Sequence, residues 1–224
     1  MNNYNFIVSI VDTDSATFGK PDNIPFSQEE IDRLHKELNS LYGEHIKWDF
    51  EASYKKIIAI RTKNYVLQEP NGKVTIKGSA LKASTKSVKL KQFIKDIING
   101  ILDDKNNHIE LYLKYVKEVQ GITDMKDWSS RKTITKAVLT SERKNETSVK
   151  DAIEGSSYQE GDRIHCFFRE DGTQCLVENF NGDYSKDKLL GSIWDTMHVF
   201  ETVLDLTTIK NYKLKKNKKE LALL

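Results

Sequence analysis

An apolar run that ends in two carboxylates is the feature that most constrains how this chain folds. Residues 6–11 (Phe-Ile-Val-Ser-Ile-Val) are rich in β-branched side chains, which pack well on the pleated surface of a sheet. Residues 12–15 (Asp-Thr-Asp-Ser) are typical turn formers, and residues 16–18 (Ala-Thr-Phe) favour a returning strand. The segment therefore predicts a β-hairpin with Asp12 and Asp14 at its tip.

Two carboxylates on a rigid hairpin suit a divalent metal ion. Magnesium prefers oxygen ligands and usually takes one or two carboxylates together with substrate phosphates. In two-metal sites the ions lie about 3.5–4 Å apart and hold both the attacking and the leaving oxygen. Aspartate is also common in turns that bind nothing, and on these residues alone that alternative stays open. Asp12 and Asp14 are therefore candidate metal ligands.

Three ordered segments resemble family B DNA polymerases. Residues 12–15 after an apolar strand are similar to that family's C motif, Tyr-x-Asp-Thr-Asp-Ser, with Ile10 where the aromatic residue usually stands. Residues 48–65 lead from Trp-Asp-Phe-Glu-Ala-Ser-Tyr-Lys-Lys into a strand pair that ends in Lys-Asn-Tyr, which resembles the family's Lys-x-Tyr motif. Residues 72–78 (Gly-Lys-Val-Thr-Ile-Lys-Gly) are similar to the Lys-Gly segment that closes the palm.

The chain from Asp127 onward looks like a polymerase thumb. Residues 130–139 are similar to the family's Ile-x-Lys-x-Leu strand, and residues 160–168 are similar to its Gly-Asp-x-Ile strand. An ordinary turn is the alternative explanation of the Gly-Asp pair. A short helix at about 147–154 and a closing helix at 186–204 complete this expectation.

The resemblance implies a role for each matching residue. Asp12 would bind the catalytic magnesium ions directly, and Asp14 would assist as a ligand or beside one, so both are expected to be catalytic. Lys63 would donate to the primer terminus, and Tyr65 would pack against the primer backbone or sugar. The residues expected to contact DNA are Lys63, Tyr65, Lys77, Gly78 and Lys136.

Several of these side chains also have plainer explanations. Lys63 fits an ordinary exposed strand lysine, and Tyr65 fits a core aromatic. Asp49 and Glu51 would make a second pair near the metal, but strand alternation alone explains their spacing and favours structural charge. Residues 39–43 (Asn-Ser-Leu-Tyr-Gly) resemble the family's B motif, yet that motif precedes the C motif in the family, and helix-end preferences explain the string.

Charge is segregated along the chain even though the net charge is only +2. Residues 1–54 hold ten acidic and four basic side chains, whereas residues 55–95 hold eleven basic side chains and Glu69 alone. Charge runs are most often solvated faces, but an imbalance of this size suits a nucleic-acid backbone. The Lys-rich stretch at 210–219 is explained equally well by a solubilising end or by a nucleic-acid arm.

Length and composition place the chain among soluble proteins of one or two domains. The 224 residues include 30% charged side chains, and the mean hydropathy is −0.58. No stretch approaches the roughly 20 apolar residues of a membrane span, and no secretory leader is evident, so a cytoplasmic location is expected. The expected fold class is α+β, with the C-terminal half of a polymerase palm at 1–82, a mostly helical thumb with a small β-hairpin at 83–205, and a basic tail at 206–224.

The two cysteines flank a predicted hairpin turn. Cys166 and Cys175 lie on either side of Asp171-Gly172, which allows them to face each other across the strands. A reduced, packed pair is favoured in a cytoplasmic protein. Two cysteines make no zinc site.

Local signals predict the remaining elements. Ser27 and Glu30 form a capping box that opens a helix, and Gly43 is a natural end for it. Other expected elements are strands at about 45–50 and 54–68, a turn at 70–72, a linker at 79–86, and helices at about 87–103 and 108–120.

The resemblance also implies that much of a polymerase is absent. Complete family B enzymes carry an exonuclease, a first palm half with an A-motif aspartate, and fingers, and only eleven residues precede Asp12 here. We therefore expect the C-terminal subunit of a split DNA-directed DNA polymerase, a nucleotidyltransferase that works with a second polymerase chain. Its other partners would be primer–template DNA, deoxynucleoside triphosphates and Mg²⁺. A non-catalytic DNA-binding or replication-assembly module, or a truncated fragment, is the alternative. The preference for Lys over Arg hints at a phage or viral source.

Overall fold

The computed structural model describes residues 6–12, 14–22, 24–42, 45–82, 85–140 and 144–211, with the backbone alone at 144–147. It confirms the expected α+β class, with small antiparallel sheets and several helices. The chain divides into two compact units, Met1–Lys77 (unit 1) and Gly78–Leu224 (unit 2). The palm, thumb and tail boundaries stay predictions, and residues 212–224 of the predicted tail lie outside the described residues.

Unit 1 begins with the predicted hairpin. Strand β1 (Ile7–Val11) pairs antiparallel with β2 (Ala16–Gly19), and the register slips between Val8 and Ile10. The backbone N–H of Asp12 donates to the carbonyl of Ser15 over 2.9 Å, which closes the turn. Among the described residues, β2 is the only strand that pairs with β1.

Helix α1 (Gln28–Tyr42) follows, and its capping box is confirmed. The Glu30 N–H donates to Ser27 Oγ over 3.2 Å, and the Ser27 N–H donates to the Glu30 carboxylate over 2.8 Å. The ammonium of Lys20, 2.7 Å from the same carboxylate, is the main cause of the lowered pKa of Glu30. Leu38 is the buried side chain of this helix. The predicted stop at Gly43 lies outside the described residues.

The predicted strand at 45–50 is wrong, because residues 45–54 form no strand. Helix α1 pairs with the backbone of Trp48 instead: the Trp48 N–H donates to Asn39 Oδ1 over 2.8 Å, and its carbonyl accepts from Asn39 Nδ2 over 2.9 Å. His35 contacts the same carbonyl. Both backbone groups of Trp48 therefore have partners without a strand. These two hydrogen bonds give Asn39 a structural role.

The predicted strand at 54–68 is a hairpin. Strands β3 (Lys56–Arg61) and β4 (Asn64–Gln68) pair antiparallel through a two-residue turn, and β5 (Val74–Lys77) adds to β4. The predicted turn before β5 is confirmed, with Gly72 at φ +86°. The buried apolar side chains described in unit 1 are Leu38, Ile58, Ile60, Val66 and Leu67.

Unit 2 opens with helices. The predicted linker at 79–86 contains a short helix, α2 (Ser79–Lys82), because Leu81 is apolar and becomes buried. Helices α3 (Val88–Leu102) and α4 (His108–Val119) confirm the two predicted helices. Ser87 caps α3, and its Oγ accepts from the Leu90 N–H over 3.2 Å.

The remaining elements of unit 2 combine a small sheet with more helices. They are β6 (Ser130–Thr133), α5 (Lys136–Thr140), α6 (Lys144–Ile153), β7 (Arg163–Phe168), β8 (Gln174–Leu176), a 3₁₀ turn at Val177–Asn179, and α7 (Lys186–His198). Helix α7 packs against α3 and α4. Leu206 and Ile209 are buried in unit 2, so the start of the predicted tail is packed. No helix in the described part of the chain is long and apolar enough to cross a membrane.

Two predicted elements of unit 2 were too long. The strand at 130–139 ends at Thr133, because Ile134 leaves the ladder: its N–H donates to the Asp162 carbonyl, and its carbonyl accepts from the Gly161 N–H. Thr135 Oγ1 then accepts from the Val138 N–H over 3.3 Å and starts α5. The closing helix ends at His198 rather than at 204, in a series of turns.

The cysteines are free and buried, as favoured from sequence. Strand register places Cys166 opposite Leu176 and Cys175 opposite Phe167. Since side chains alternate along a strand, the two thiols lie on opposite faces of the sheet. The idea that they face each other across the hairpin is therefore wrong.

Candidate functional site

The end of β1 presents one carboxylate in a protected position and one in solvent. Asp12 is half-buried, with 29% of its side chain exposed, and its backbone is fixed by the Ser15 carbonyl. Asp14 lies in the bend of the hairpin and is exposed. The hairpin thus gives its two carboxylates different surroundings.

Lys63 lies in the turn between β3 and β4. Arg61 and Asn64 pair on either side of it, and Lys63 has φ +58°, in the left-handed region that a lysine rarely adopts. Its Nζ lies 3.8 Å from Asp12 Oδ1. The lysine side chain is 70% exposed, so this ion pair adds little stability. Its significance is that two segments about fifty residues apart in the sequence meet here.

Tyr65 belongs to the same cluster. It lies on the central strand β4, opposite Ala59 of β3 and Lys77 of β5, and it is half-buried. Burial is the main cause of its raised pKa, and the negative charges of Asp12 and then Glu51 raise it further. The phenol therefore lies within electrostatic range of both carboxylates.

Glu51 is the residue that sequence reasoning placed outside the site. The strand alternation that would explain its spacing is absent, because residues 45–54 form no strand. Its charge raises the pKa of Tyr54 as well as that of Tyr65, after burial in each case. The signal that would have identified it is its position just before the strand pair that ends in Lys63 and Tyr65.

The other predicted DNA contacts lie at strand and helix ends. Lys77 is exposed at the end of β5. Gly78 follows with φ +102°, a conformation that requires glycine, and its carbonyl accepts from the Leu81 and Lys82 N–H groups. Lys136 is exposed at the first position of α5 in unit 2, and its N–H donates to the Glu160 carboxylate over 3.2 Å.

Within unit 1 the structure thus assembles part of the predicted site. Asp12, Lys63 and Tyr65 come together, with Lys77 as the cross-strand neighbour of Tyr65. Lys136 belongs to unit 2 and is described there by itself.

The donor set fits part of a magnesium site. Asp12 and Asp14 are hard oxygen donors, and Mg²⁺ usually takes one or two protein carboxylates and completes its shell with phosphates and water. The described residues contain no group of three or more His, Cys, Asp or Glu side chains that would hold a metal ion. The hairpin tip could offer two carboxylates to a bound Mg²⁺ ion, which alone do not complete its coordination shell.

Comparison with solved structures finds a likeness of fold. No protein-family model matches the chain, and no curated protein matches it. Among solved structures, the family B DNA polymerase from the hyperthermophilic archaeon Pyrobaculum calidifontis superposes with a TM-score of 0.69 at 16% sequence identity. The match covers 91% of this chain and 28% of the polymerase chain. At this identity the likeness shows the fold, and the chain has a fold like that of one part of a family B DNA polymerase.

Proposed function

We propose that this chain supplies the C-terminal part of a family B-like DNA-directed DNA polymerase and works with a second polymerase chain. The observation that carries the proposal is the meeting of Asp12, Lys63 and Tyr65 in unit 1. These residues come from two separate sequence segments, each similar to a polymerase motif. The likeness of fold supports the same conclusion.

In this proposal the protein residues bind and position. Asp12 and Asp14 hold magnesium, which when bound neutralises charge on the nucleotide triphosphate and lowers the pKa of the primer 3′-hydroxyl. The Lys63 ammonium donates to a primer-end phosphate, a charge-assisted contact stronger than a neutral one. Tyr65 presents its ring to the primer backbone or sugar from the rigid central strand. Positioning of this kind accounts for most catalysis of phosphoryl transfer.

The proposal of a second chain rests on the apolar side chains that unit 1 leaves exposed. Eleven large apolar side chains are exposed among the described residues, and nine of them belong to unit 1. Unit 1 buries only five apolar side chains among its described residues. The nine are Ile7, Val8, Val11, Ile24, Leu41, Tyr42, Ile46, Phe50 and Val74. Exposed apolar side chains that form one patch are typical of an interaction site. We infer that the partner carries the exonuclease, the first palm half and the fingers, and that it covers this surface.

A non-catalytic DNA-binding or replication-assembly module is the second candidate. It is favoured by two observations: the Asp12 carboxylate faces a lysine ammonium, and no group of three acidic or other metal-binding side chains is found among the described residues. A module of this kind would bind primer–template DNA without ever supporting nucleotide addition.

Primer extension tests the proposal. The purified chain is assayed with Mg²⁺, deoxynucleoside triphosphates and a primer–template, alone and after co-expression with a chain that carries the exonuclease, A and B motifs. We expect no extension by the chain alone and extension by the complex. Robust extension by the isolated chain would refute the need for a partner. DNA binding without extension in the complex would favour the assembly module.

A further inference from the structure

Three Asn-Gly sequences occur in the chain, and the fold holds them in different ways. They are Asn71-Gly72 between β4 and β5, Asn99-Gly100 inside α3, and Asn181-Gly182 in the loop before α7. An asparagine before glycine is prone to lose its side-chain amide, because glycine has no Cβ to hinder attack by its backbone nitrogen on the asparagine Cγ. In a folded chain the reaction depends on how the nitrogen and the Cγ are held.

Helix α3 protects the pair that it contains. Gly100 is buried, and in the helix each N–H donates to the carbonyl four residues earlier. The Asn107 side chain packs so closely on Gly100 that an added Cβ would lie 2.6 Å from its Oδ1. Ring formation between Asn99 and Gly100 would therefore require the helix to open.

The turn at Asn71 holds both the attacked carbon and the attacking nitrogen. Asn71 Oδ1 accepts from the Lys73 N–H over 2.8 Å, which folds the side chain back over the main chain. The Gly72 N–H donates to the Glu69 carbonyl over 2.9 Å. The nitrogen must give up this hydrogen bond before it can lose its proton and attack Asn71.

The loop at Asn181 differs in its attacking nitrogen. Asn181 Oδ1 accepts from the Asp183 N–H over 3.1 Å, so this side chain folds back as that of Asn71 does. Gly182 is exposed at φ +96°, and its N–H has no acceptor among the described residues. A Cβ built on Gly182 would meet no described atom within 4 Å, so nothing crowds the space above it. The Gly182 nitrogen is therefore open to deprotonation by solvent.

We propose that Asn181 is a site of spontaneous conversion to aspartate and isoaspartate, and that it reacts before Asn71 and Asn99. The Gly182 nitrogen gives its proton to hydroxide and bonds to Asn181 Cγ. The Cγ–Nδ2 bond breaks, and the leaving nitrogen takes a proton from water and departs as ammonia. Water then opens the five-membered imide, giving aspartate by addition at Cγ or isoaspartate by addition at the backbone carbonyl carbon. One water is consumed and one ammonia is released, and the reaction needs no DNA, metal or partner chain.

Isoaspartate would alter a loop that is held on both sides. Phe180 packs edge-on against Phe167, with ring centroids 5.4 Å apart. The buried Tyr184 donates its hydroxyl to the Val119 carbonyl over 2.8 Å. Isoaspartate adds one carbon to the main chain between these two anchors, whereas both products add a negative charge beside Asp183. The added carbon should therefore strain the loop more than the added charge does.

Ageing of the full-length chain tests the order of reaction. The protein is incubated in mildly alkaline buffer made with heavy-oxygen water, which marks each new carboxyl group, and is then digested at acid pH for peptide mass spectrometry. The Asn181 peptide should convert about fivefold faster than the Asn71 peptide, which corresponds to about 1 kcal/mol for one hydrogen bond. The Asn99 peptide should convert slowest. In guanidinium chloride the three rates should become similar, because each asparagine precedes glycine.

Variants at position 181 supply the controls. Asn181→Gln, whose longer side chain disfavours ring closure, should remove the label from the loop peptide and leave the conversion of Asn71 unchanged. Conversion of Asn71 as fast as that of Asn181 in the folded chain overturns the proposal, as does a difference between them that persists in guanidinium chloride.

Thermal unfolding separates the added carbon from the added charge. The unfolding temperature of the aged wild type should fall below that of the fresh protein. Fresh Asn181→Asp, which has the charge and a normal main chain, should unfold near the fresh wild type. An Asn181→Asp protein that unfolds as early as the aged wild type would overturn the strain assigned to isoaspartate. Primer extension is not part of these measurements, so the proposed function stands or fails separately.

Discussion

At the scale of single residues, the backbone of Lys63 is strained where its side chain meets Asp12. A left-handed conformation costs a residue other than glycine about 1–2 kcal/mol, and asparagine or glycine would relieve much of it. Strain of this kind persists where the surrounding structure determines it, often at functional positions. The lysine is retained at a position that a turn would normally give to another residue type.

Replacing Asp12 should abolish turnover without abolishing DNA binding. In the assembled complex we expect Asp12→Ala to lower the single-turnover rate at least about 10²-fold, because a preorganised charge that serves the transition state is lost. Duplex affinity measured by anisotropy should stay near that of the wild type. Asp22→Ala, which removes an exposed carboxylate outside the hairpin tip, is the control. Near-normal turnover in Asp12→Ala would show that Asp12 belongs to an ordinary turn and takes no part in catalysis.

Replacing Lys63 should separate stability from function. Lys63→Asn suits the left-handed turn, so the free energy of unfolding in urea should be unchanged or higher by up to about 1 kcal/mol. The same variant loses the ammonium group, so the complex should release primer–template sooner and extend less per binding event. Lys63→Arg keeps the positive charge, so the complex should release primer–template about as slowly as the wild type does. A variant that loses stability and keeps extension would contradict this role.

The buried thiol of Cys166 should make stability fall at high pH. Burial raises the pKa of this thiol from 9.0 to about 11, and only 1% of the residue is exposed. The unfolded chain therefore loses its proton first, and stability present below pH 9 is lost as pH rises towards 11. Two pKa units correspond to about 3 kcal/mol. Urea unfolding at pH 8 and pH 10.5 should show a shallower decline in Cys166→Ala than in the wild type. Equal declines in the two proteins would show that other titratable groups cause the loss of stability.

At the scale of elements, the sequence predicted correctly those helices and strands whose signals lie within a single segment. The hairpin at β1 and β2, the capping box of α1, and helices α3 and α4 are all present, because their turn residues, caps and apolar periods lie within the segment itself. The predicted strand at 45–50 is absent, and Asn39 of α1 takes both backbone bonds of Trp48 within it. No pattern inside that segment indicates that a residue of another element will bond to it.

Loss of the α3 cap should cost measurable stability. Ser87 is buried, and its hydroxyl satisfies the Leu90 N–H at the start of a core helix. We expect Ser87→Ala to lower the free energy of unfolding by about 1 kcal/mol. Ser185→Ala, which removes the longer 3.4 Å cap of α7, should cost less. The reverse order would show that packing around the helix ends outweighs capping.

At the scale of the whole molecule, the two units differ in how well they bury their apolar surface. Most of the buried apolar side chains lie in unit 2, and most of the exposed ones lie in unit 1. The sequence predicted the α+β fold and singled out Asp12, Lys63 and Tyr65, which the fold brings close together. Their roles in a site stay predictions. It did not predict that Glu51 lies within electrostatic range of Tyr65, because that depends on the path of the loop before β3.

Among the described residues β1 pairs along one side only, and this has a consequence for the chain before it meets the partner proposed above. An apolar strand with a free edge is a template on which further strands add, and natural proteins usually block such edges with charges or proline. Residues 7–11 (Ile-Val-Ser-Ile-Val) carry neither. We expect the chain purified alone to self-associate on standing, faster at higher concentration, and to stay dispersed in the complex, as light scattering would record. The interval between synthesis and assembly would then limit how much usable subunit a cell can keep.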